Sequence, residues 1–290
     1  MFQFYNKVLN FSRLIKIEHT LFSLPMLFSG AILGARGWPS NKILALIVLV
    51  GFFARSFAMV VNRLIDREID ARNPRTSSRE IPAKTVSVHQ AMELGLFSLL
   101  CYLFLAYLLG PICLWLSPIP LVIFIGYPYL KRYTCMAHFG LGLALAMAPL
   151  GGYIASSQTF PFSPGIIALG LFVFFWVSGF DIIYATLDEE IDREQGLFSL
   201  PAVVGRAKAL RISGVLHFLS FCGLVAICAL GSISTGSLAV LFLTGIFLFL
   251  EHRFSYNVNL AFFGGNVVVG FLVLFLVNLV VIGKGFGAGG

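Results

Sequence analysis

The chain reads as an all-α polytopic membrane protein, and three observations predict this. It is 58% hydrophobic and 11% charged over 290 residues, with a mean hydropathy of +0.92, whereas soluble domains carry about 25% charged residues. Its apolar residues form long continuous runs, not the alternating ten-residue segments of a membrane barrel. Its basic residues are sorted by side. With the amino terminus inside, sixteen of the 20 Lys and Arg fall in inside segments and three outside, the asymmetry that marks a cytoplasmic face.

The elements follow in order. Residues 1–18 hold Lys7, Arg13 and Lys16 and are amphipathic enough to lie along the interface. A basic stretch before an apolar run resembles a signal peptide, but no A-x-A cleavage site follows, so 20–36 is read as a retained first span. At about 20 apolar residues per crossing, further spans are expected at 43–62, 91–110, 112–130, 138–156, 165–186, 211–231, 236–250 and 266–283. The eighth of these nine is the shortest. Residues 284–290 are expected to be a flexible tail, and 1–290 a single integral membrane domain. Cys101, Cys113, Cys135, Cys222 and Cys228 show no metal-type spacing. The net charge of +7 is explained by topology and a phosphate-facing surface, with no nucleic-acid module beside it.

Two acidic clusters stand at the ends of apolar runs: NRLIDREID, Asn62 to Asp70, and DIIYATLDEEID, Asp181 to Asp192. Carboxylates are costly at a bilayer, so each needs a partner or a job. Asn62, Asp66 and Asp70 recur every four residues; Asp181, Asp188 and Asp192 are seven and four apart. On helices, each set shares one face, about 6 Å apart per four-residue step. Two such faces opposed form an oxygen-rich cage that suits a hard divalent cation. Mg²⁺ is commonly held by carboxylates together with substrate phosphates.

Basic residues accompany the acids. Asn73, Arg75, Thr76 and Arg79 follow the first cluster at once, between Pro74 and Pro82, which end any long helix. Arginine forks bind phosphate oxygens bidentately. Viewed alone, the loop is also what a solvated cytoplasmic connection looks like. The segment YPYLKRYT, Tyr127 to Thr134, could equally supply interfacial anchors through Lys131 and Arg132. Gly196, Pro201 and Gly205 are turn signals closing a loop after the second cluster. Arg55 lies two turns deeper than Asn62 on nearly the same face. It requires an anion, either an acid on another helix (Glu93 and Asp181 are nearest) or a substrate carboxylate.

At this point the chain resembles the UbiA superfamily of intramembrane aromatic prenyltransferases over most of its length. Asn62, Asp66 and Asp70 match the family's N-x-x-x-D-x-x-x-D. Asp181, Tyr184, Asp188 and Asp192 match its D-x-x-Y-x-x-x-D-x-x-x-D. N-x-R-T-x-x-R at Asn73 to Arg79 and Y-P-x-x-K-R-x-T at Tyr127 to Thr134 match as well, while Arg63 stands where many members carry a second Asp. The opening IKIEHTLFSLP looks more like the 4-hydroxybenzoate branch and its relatives in menaquinone synthesis.

The resemblance implies about nine helices around a central cavity with a cytoplasmic cap, open sideways to lipid. It implies a polyprenyl diphosphate and a small aromatic acid as substrates, and two Mg²⁺ ions. Asp66, Asp70, Asp188 and Asp192, assisted by Asn62, would hold the metal. Asp181 would be a further ligand or orient the acceptor. Asn73, Arg75, Arg79, Lys131 and Arg132 would bind diphosphate, Tyr127 and Tyr184 would line the reacting centre, and Arg55 would take the acceptor's carboxylate. Loops carrying these residues are expected on the cytoplasmic side of the inner membrane. An ion-coupled transporter is the competing class, and it would favour acids near mid-membrane in broken helices. A CDP-alcohol phosphotransferase would need the D-G-x-x-A-R opening, which is absent.

Overall fold

The computed structural model describes residues 9–16, 20–253 and 264–285. The expectations for residues 1–8, 17–18 and 286–290 lie outside them. The described residues form helices only. They are α1 (Thr20–Ala35), α2 (Asn41–Arg72), α3 (Val88–Leu109), α4 (Pro111–Leu116), α5 (Pro118–Leu130) and α6 (Ala137–Ser157). Then come α7 (Pro164–Ala185), α8 (Glu189–Glu194), α9 (Leu200–Val204), α10 (Arg206–Leu230), α11 (Thr235–Arg253) and α12 (Asn266–Gly285). Among the described residues, eight segments are long and apolar enough to cross a membrane, α4 and α5 together counting as one, and α1 contributes a shorter apolar helix. The nine expected spans are therefore all present as helices.

Three features depart from the expected elements, and each has a local cause. The second span does not stop at 62. Helix α2 runs 32 residues, about 48 Å at 1.5 Å per residue, against a hydrocarbon core of about 30 Å. Its last turns therefore stand clear of the apolar layer and carry Asn62, Asp66 and Asp70, until Asn73-Pro74 ends it. The fourth span is interrupted at Ser117 between α4 and α5, where Pro118 starts the second piece. The second acidic motif is not on one helix. Helix α7 ends at Ala185, and Asp188 sits in the turn before the six-residue α8. Asp181 and Asp188 are thus placed by separate elements.

Packing fixes the frame around the charged end. Two-thirds of the apolar window of α7 is buried, and Phe172 stacks on the fully buried Trp176 with ring centroids 5.4 Å apart. Helix α7 is the central pillar, lying against α6 and α10, and it carries Asp181 near its carboxyl-terminal end. Helices α1 and α6 meet backbone to backbone. A Cβ at Gly30 would fall 1.9 Å from the Pro149 carbonyl oxygen, and one at Gly152 2.0 Å from that of Leu27, the close approach that small residues permit. Near the amino terminus, Leu14 and Ile15 are buried in a cluster with Val60, Ile81, Val86 and Ala91. The stretch 9–16 is therefore packed onto α2, the following loop and α3.

Candidate active site

The charged residues converge at one end of the bundle, from four parts of the chain: the end of α2 with the loop after it, the end of α5, the start of α6, and the end of α7 with α8. Asp66 and Asp70 are 3% and 4% exposed, and both point inward from α2. Asn62 donates to Asp66 Oδ2 at 3.2 Å, and Lys131 Nζ donates to the same oxygen at 2.7 Å. Arg132 donates to the Ile65 carbonyl at 2.6 Å and stands 3.7 Å from Asp66 Oδ1. Arg79 Nη1 donates to Asp70 Oδ1 at 2.7 Å, while Thr76 Oγ1 donates to the Asp70 carbonyl and holds the loop against the helix end.

Across the site, Asp188 takes a bidentate fork from Arg75, whose Nε donates to Oδ1 at 2.8 Å and whose Nη2 donates to Oδ2. Asn73 Nδ2 donates to Oδ1 at 2.8 Å. Arg75 also donates to the Tyr184 hydroxyl at 2.6 Å, with its guanidinium carbon 4.8 Å from the centre of that ring. Burial works against the charge of Asp188, but the hydrogen bonds from Arg75 and Asn73 and the charges of Arg75 and Arg79 outweigh it. They hold the carboxyl below the usual range. Asp192 is pushed the other way, by burial first and by the neighbouring Asp188 charge.

Four of the carboxylates meet basic side chains. Asp66 faces Lys131, Asp70 faces Arg79, Asp188 faces Arg75 and Asp181 faces His138. Among the described residues no three Asp, Glu, His or Cys side chains gather into a ligand set. The physical reason is mutual repulsion, which basic side chains relieve. The donors still suit a hard cation. Asp66 Oδ1 and Asp70 Oδ2 are buried without a hydrogen-bond partner, because their nearest guanidinium nitrogens, from Arg132 and Arg63, stand 3.7 and 3.9 Å away. Buried carboxylate oxygens in that condition, beside phosphate-type forks, fit Mg²⁺.

Below the charged end lies an apolar cavity of about 480 Å³. It follows α2 from Ile47 to Met59, about 18 Å along the axis, and reaches Phe160 and Phe162 at its far end. Arg55 is the one charged side chain lining it among the described residues. Its Nη2 donates to the Lys16 carbonyl at 3.2 Å. Tyr127 lines the cavity too, and the charges of Asp66, Asp181, Arg55 and Arg63 all act on its hydroxyl. Tyr127 and Arg55 thus stand where the greasy chamber meets the polar cluster.

Two residues of this site were not singled out from the sequence. Arg63, seen there only as a departure from a motif, is 3% exposed and faces Asp70. His138 is 4% exposed, and its Nδ1 lies 2.6 Å from Asp181 Oδ2. A histidine at the start of an apolar span was the only signal.

Acids gathered at one end, above a cavity rather than along a mid-membrane path, remove the main attraction of the transporter reading. The model of the UbiA prenyltransferase family matches residues 23–260. A 4-hydroxybenzoate octaprenyltransferase of Vibrio cholerae is 29% identical over 266 residues, covering 88% of this chain and 92% of that one. A UbiA homolog from Aeropyrum pernix K1 superposes with a TM-score of 0.82 at 29% identity, over 91% of this chain and 98% of that one. One from Archaeoglobus fulgidus, bound to DMAPP and Mg²⁺, shares the fold with a TM-score of 0.72 at 20% identity, over 93% and 99%. Fold and site together define a membrane-embedded prenyltransferase. The chain belongs to the UbiA prenyltransferase family.

Proposed function

We propose that this enzyme transfers a polyprenyl group from its diphosphate to a small aromatic acid, 4-hydroxybenzoate or a related quinone precursor, at the carbon ortho to the hydroxyl. The observation that carries the reading is the junction itself. Carboxylates and phosphate-type cations meet directly above an apolar cavity whose one charged lining residue, among those described, is Arg55. The Vibrio relative's activity is consistent with this substrate pair.

In this reading Asp66, Asp70, Asp188 and Asp192, with Asn62, hold two Mg²⁺ ions. When bound, they supply positive charge to the diphosphate as it leaves. Arg75, Arg79, Lys131, Arg132 and Asn73 exchange their carboxylate partners for phosphate oxygens. The bond from the prenyl C1 to oxygen breaks, and the electron pair leaves with the diphosphate. The cavity keeps water from the allylic cation, and the Tyr127 and Tyr184 rings face it. The ring carbon ortho to the phenol oxygen attacks C1, then loses its proton. Arg55 pairs with the acceptor's carboxylate, and Asp181 orients the acceptor.

The basic asymmetry supports a cytoplasmic position for the charged end. Membranes containing the protein, incubated with Mg²⁺, a labelled long polyprenyl diphosphate and a panel of aromatic acids, should yield one product heavier than the acid by the prenyl group less one hydrogen. Release of diphosphate with no prenylated aromatic from any acid would overturn the reading.

A further inference from the structure

The imidazole of His138 joins two parts of the site that are 19 residues apart in the chain. Nδ1 lies 2.6 Å from Asp181 Oδ2, at the end of α7. Nε2 accepts the Leu200 backbone N–H at 3.1 Å, at the start of α9. A neutral imidazole has one N–H and one lone-pair nitrogen. Because Nε2 is the acceptor, Nδ1 carries the hydrogen and donates to Asp181. The two bonds therefore select one tautomer, and each depends on the ring staying where the other holds it. The stretch leading to Leu200 also bears Asp188 and Asp192. It is tied to the end of α5 as well, since Phe198 N donates to the Lys131 carbonyl at 2.7 Å.

We propose that His138 is a positioning residue that orients the Asp181 carboxylate and couples it to the seating of the 188–200 segment on the site. A carboxylate at the end of a rigid helix and a turn-rich segment are placed by different elements. One buried ring gives them a common reference. The kinetic consequence rests on the prenyl-transfer reading; the coupling does not.

The two are tested separately on the purified full-length protein. Arg193 is exposed within the segment, so the rate of tryptic cleavage after it reports seating without any substrate. His138→Ala and Asp181→Ala should each speed that cleavage by about tenfold or more, the size expected for a lost hydrogen bond to a charged group. Together they should speed it no further than either alone, because they break one connection. Fully additive effects, or no effect of either, would overturn the proposal.

Kinetics then divide the ring's two roles. In His138→Asn the amide nitrogen falls near the position of Nδ1, so it donates to Asp181 but does not reach Leu200. In His138→Gln the amide oxygen falls near the position of Nε2, so it accepts from Leu200 and leaves Asp181 unheld. His138→Gln, which lacks the bond to Asp181, should cleave about as fast as Asp181→Ala and lose about tenfold in kcat. His138→Asn should cleave fast and keep more of its kcat. Equal losses in both, tracking only a lower melting temperature, would make His138 a packing residue. A wild type that prenylates no acid, with the cleavage pattern as expected, would sink the functional reading and leave the coupling standing.

Discussion

Asp70 shows how much one side chain is asked to do. It is buried, bonded to Arg79, and faced by a second guanidinium on Arg63. Loss of electrostatic stabilisation at such a centre is worth about a hundredfold or more in turnover. Asp66→Ala, Asp70→Ala, Asp188→Ala and Asp192→Ala should each show at least that fall in initial rate, and near-normal rates for any two would remove the site as described. Arg55 is judged by a different pattern. If it pairs with the acceptor, Arg55→Ala raises the acceptor KM at least tenfold, since a lost buried charged contact costs about 2–5 kcal/mol, while the prenyl diphosphate KM stays near its starting value. Arg55→Lys restores this only in part, because an ammonium lacks the planar fork. The bond to the Lys16 carbonyl gives the opposing expectation: lower thermal stability with both KM values moved alike. Steady-state rates on folded protein decide between them.

At the scale of elements, neighbouring glycines on α6 have opposite duties. Gly152 meets the α1 backbone, whereas Gly151 lines the cavity with nothing within 4 Å of its Cβ position. Gly152→Ala should cost about 1–3 kcal/mol through overpacking, read as a lower melting temperature in detergent. Gly151→Ala should leave the melting temperature unchanged. Gly151→Phe should weaken long polyprenyl diphosphates more than short ones, measured as the ratio of their KM values. Neither duty was legible in the sequence, where both residues are simply glycines in an apolar run. The spans were legible, because runs of about 20 apolar residues leave few alternatives. The first acidic motif was too, since its four-residue spacing is realised on a single helix. The second was misread as one helical face because the end of α7 depends on tertiary packing. The carboxylate–base pairs were beyond reach for the same reason: Asp188 and Arg75 are 113 residues apart, and nothing local announces their meeting.

At the scale of the whole molecule, the charged end and the apolar chamber are one device. Removing divalent cations with a chelator should abolish turnover and added Mg²⁺ should restore it, since the carboxylates cannot hold a diphosphate unaided. Full activity in excess chelator would end the two-metal proposal. A protease applied to sealed, right-side-out vesicles should spare the Asn73–Ser87 loop and reach it only after lysis, if the positive-inside bias sets the orientation. The pairing of Asp66, Asp70 and Asp188 with basic side chains has a thermodynamic corollary. A lone Mg²⁺ must evict a lysine or guanidinium from its carboxylate and strand that cation. A lone diphosphate must pull the same cation away and strand the carboxylate. Arriving together, the two swap one set of ion pairs for another and strand nothing. Each should therefore bind more tightly in the presence of the other, by equal factors, so that the protein recognises the metal–diphosphate salt as a unit and stays indifferent to either ion alone.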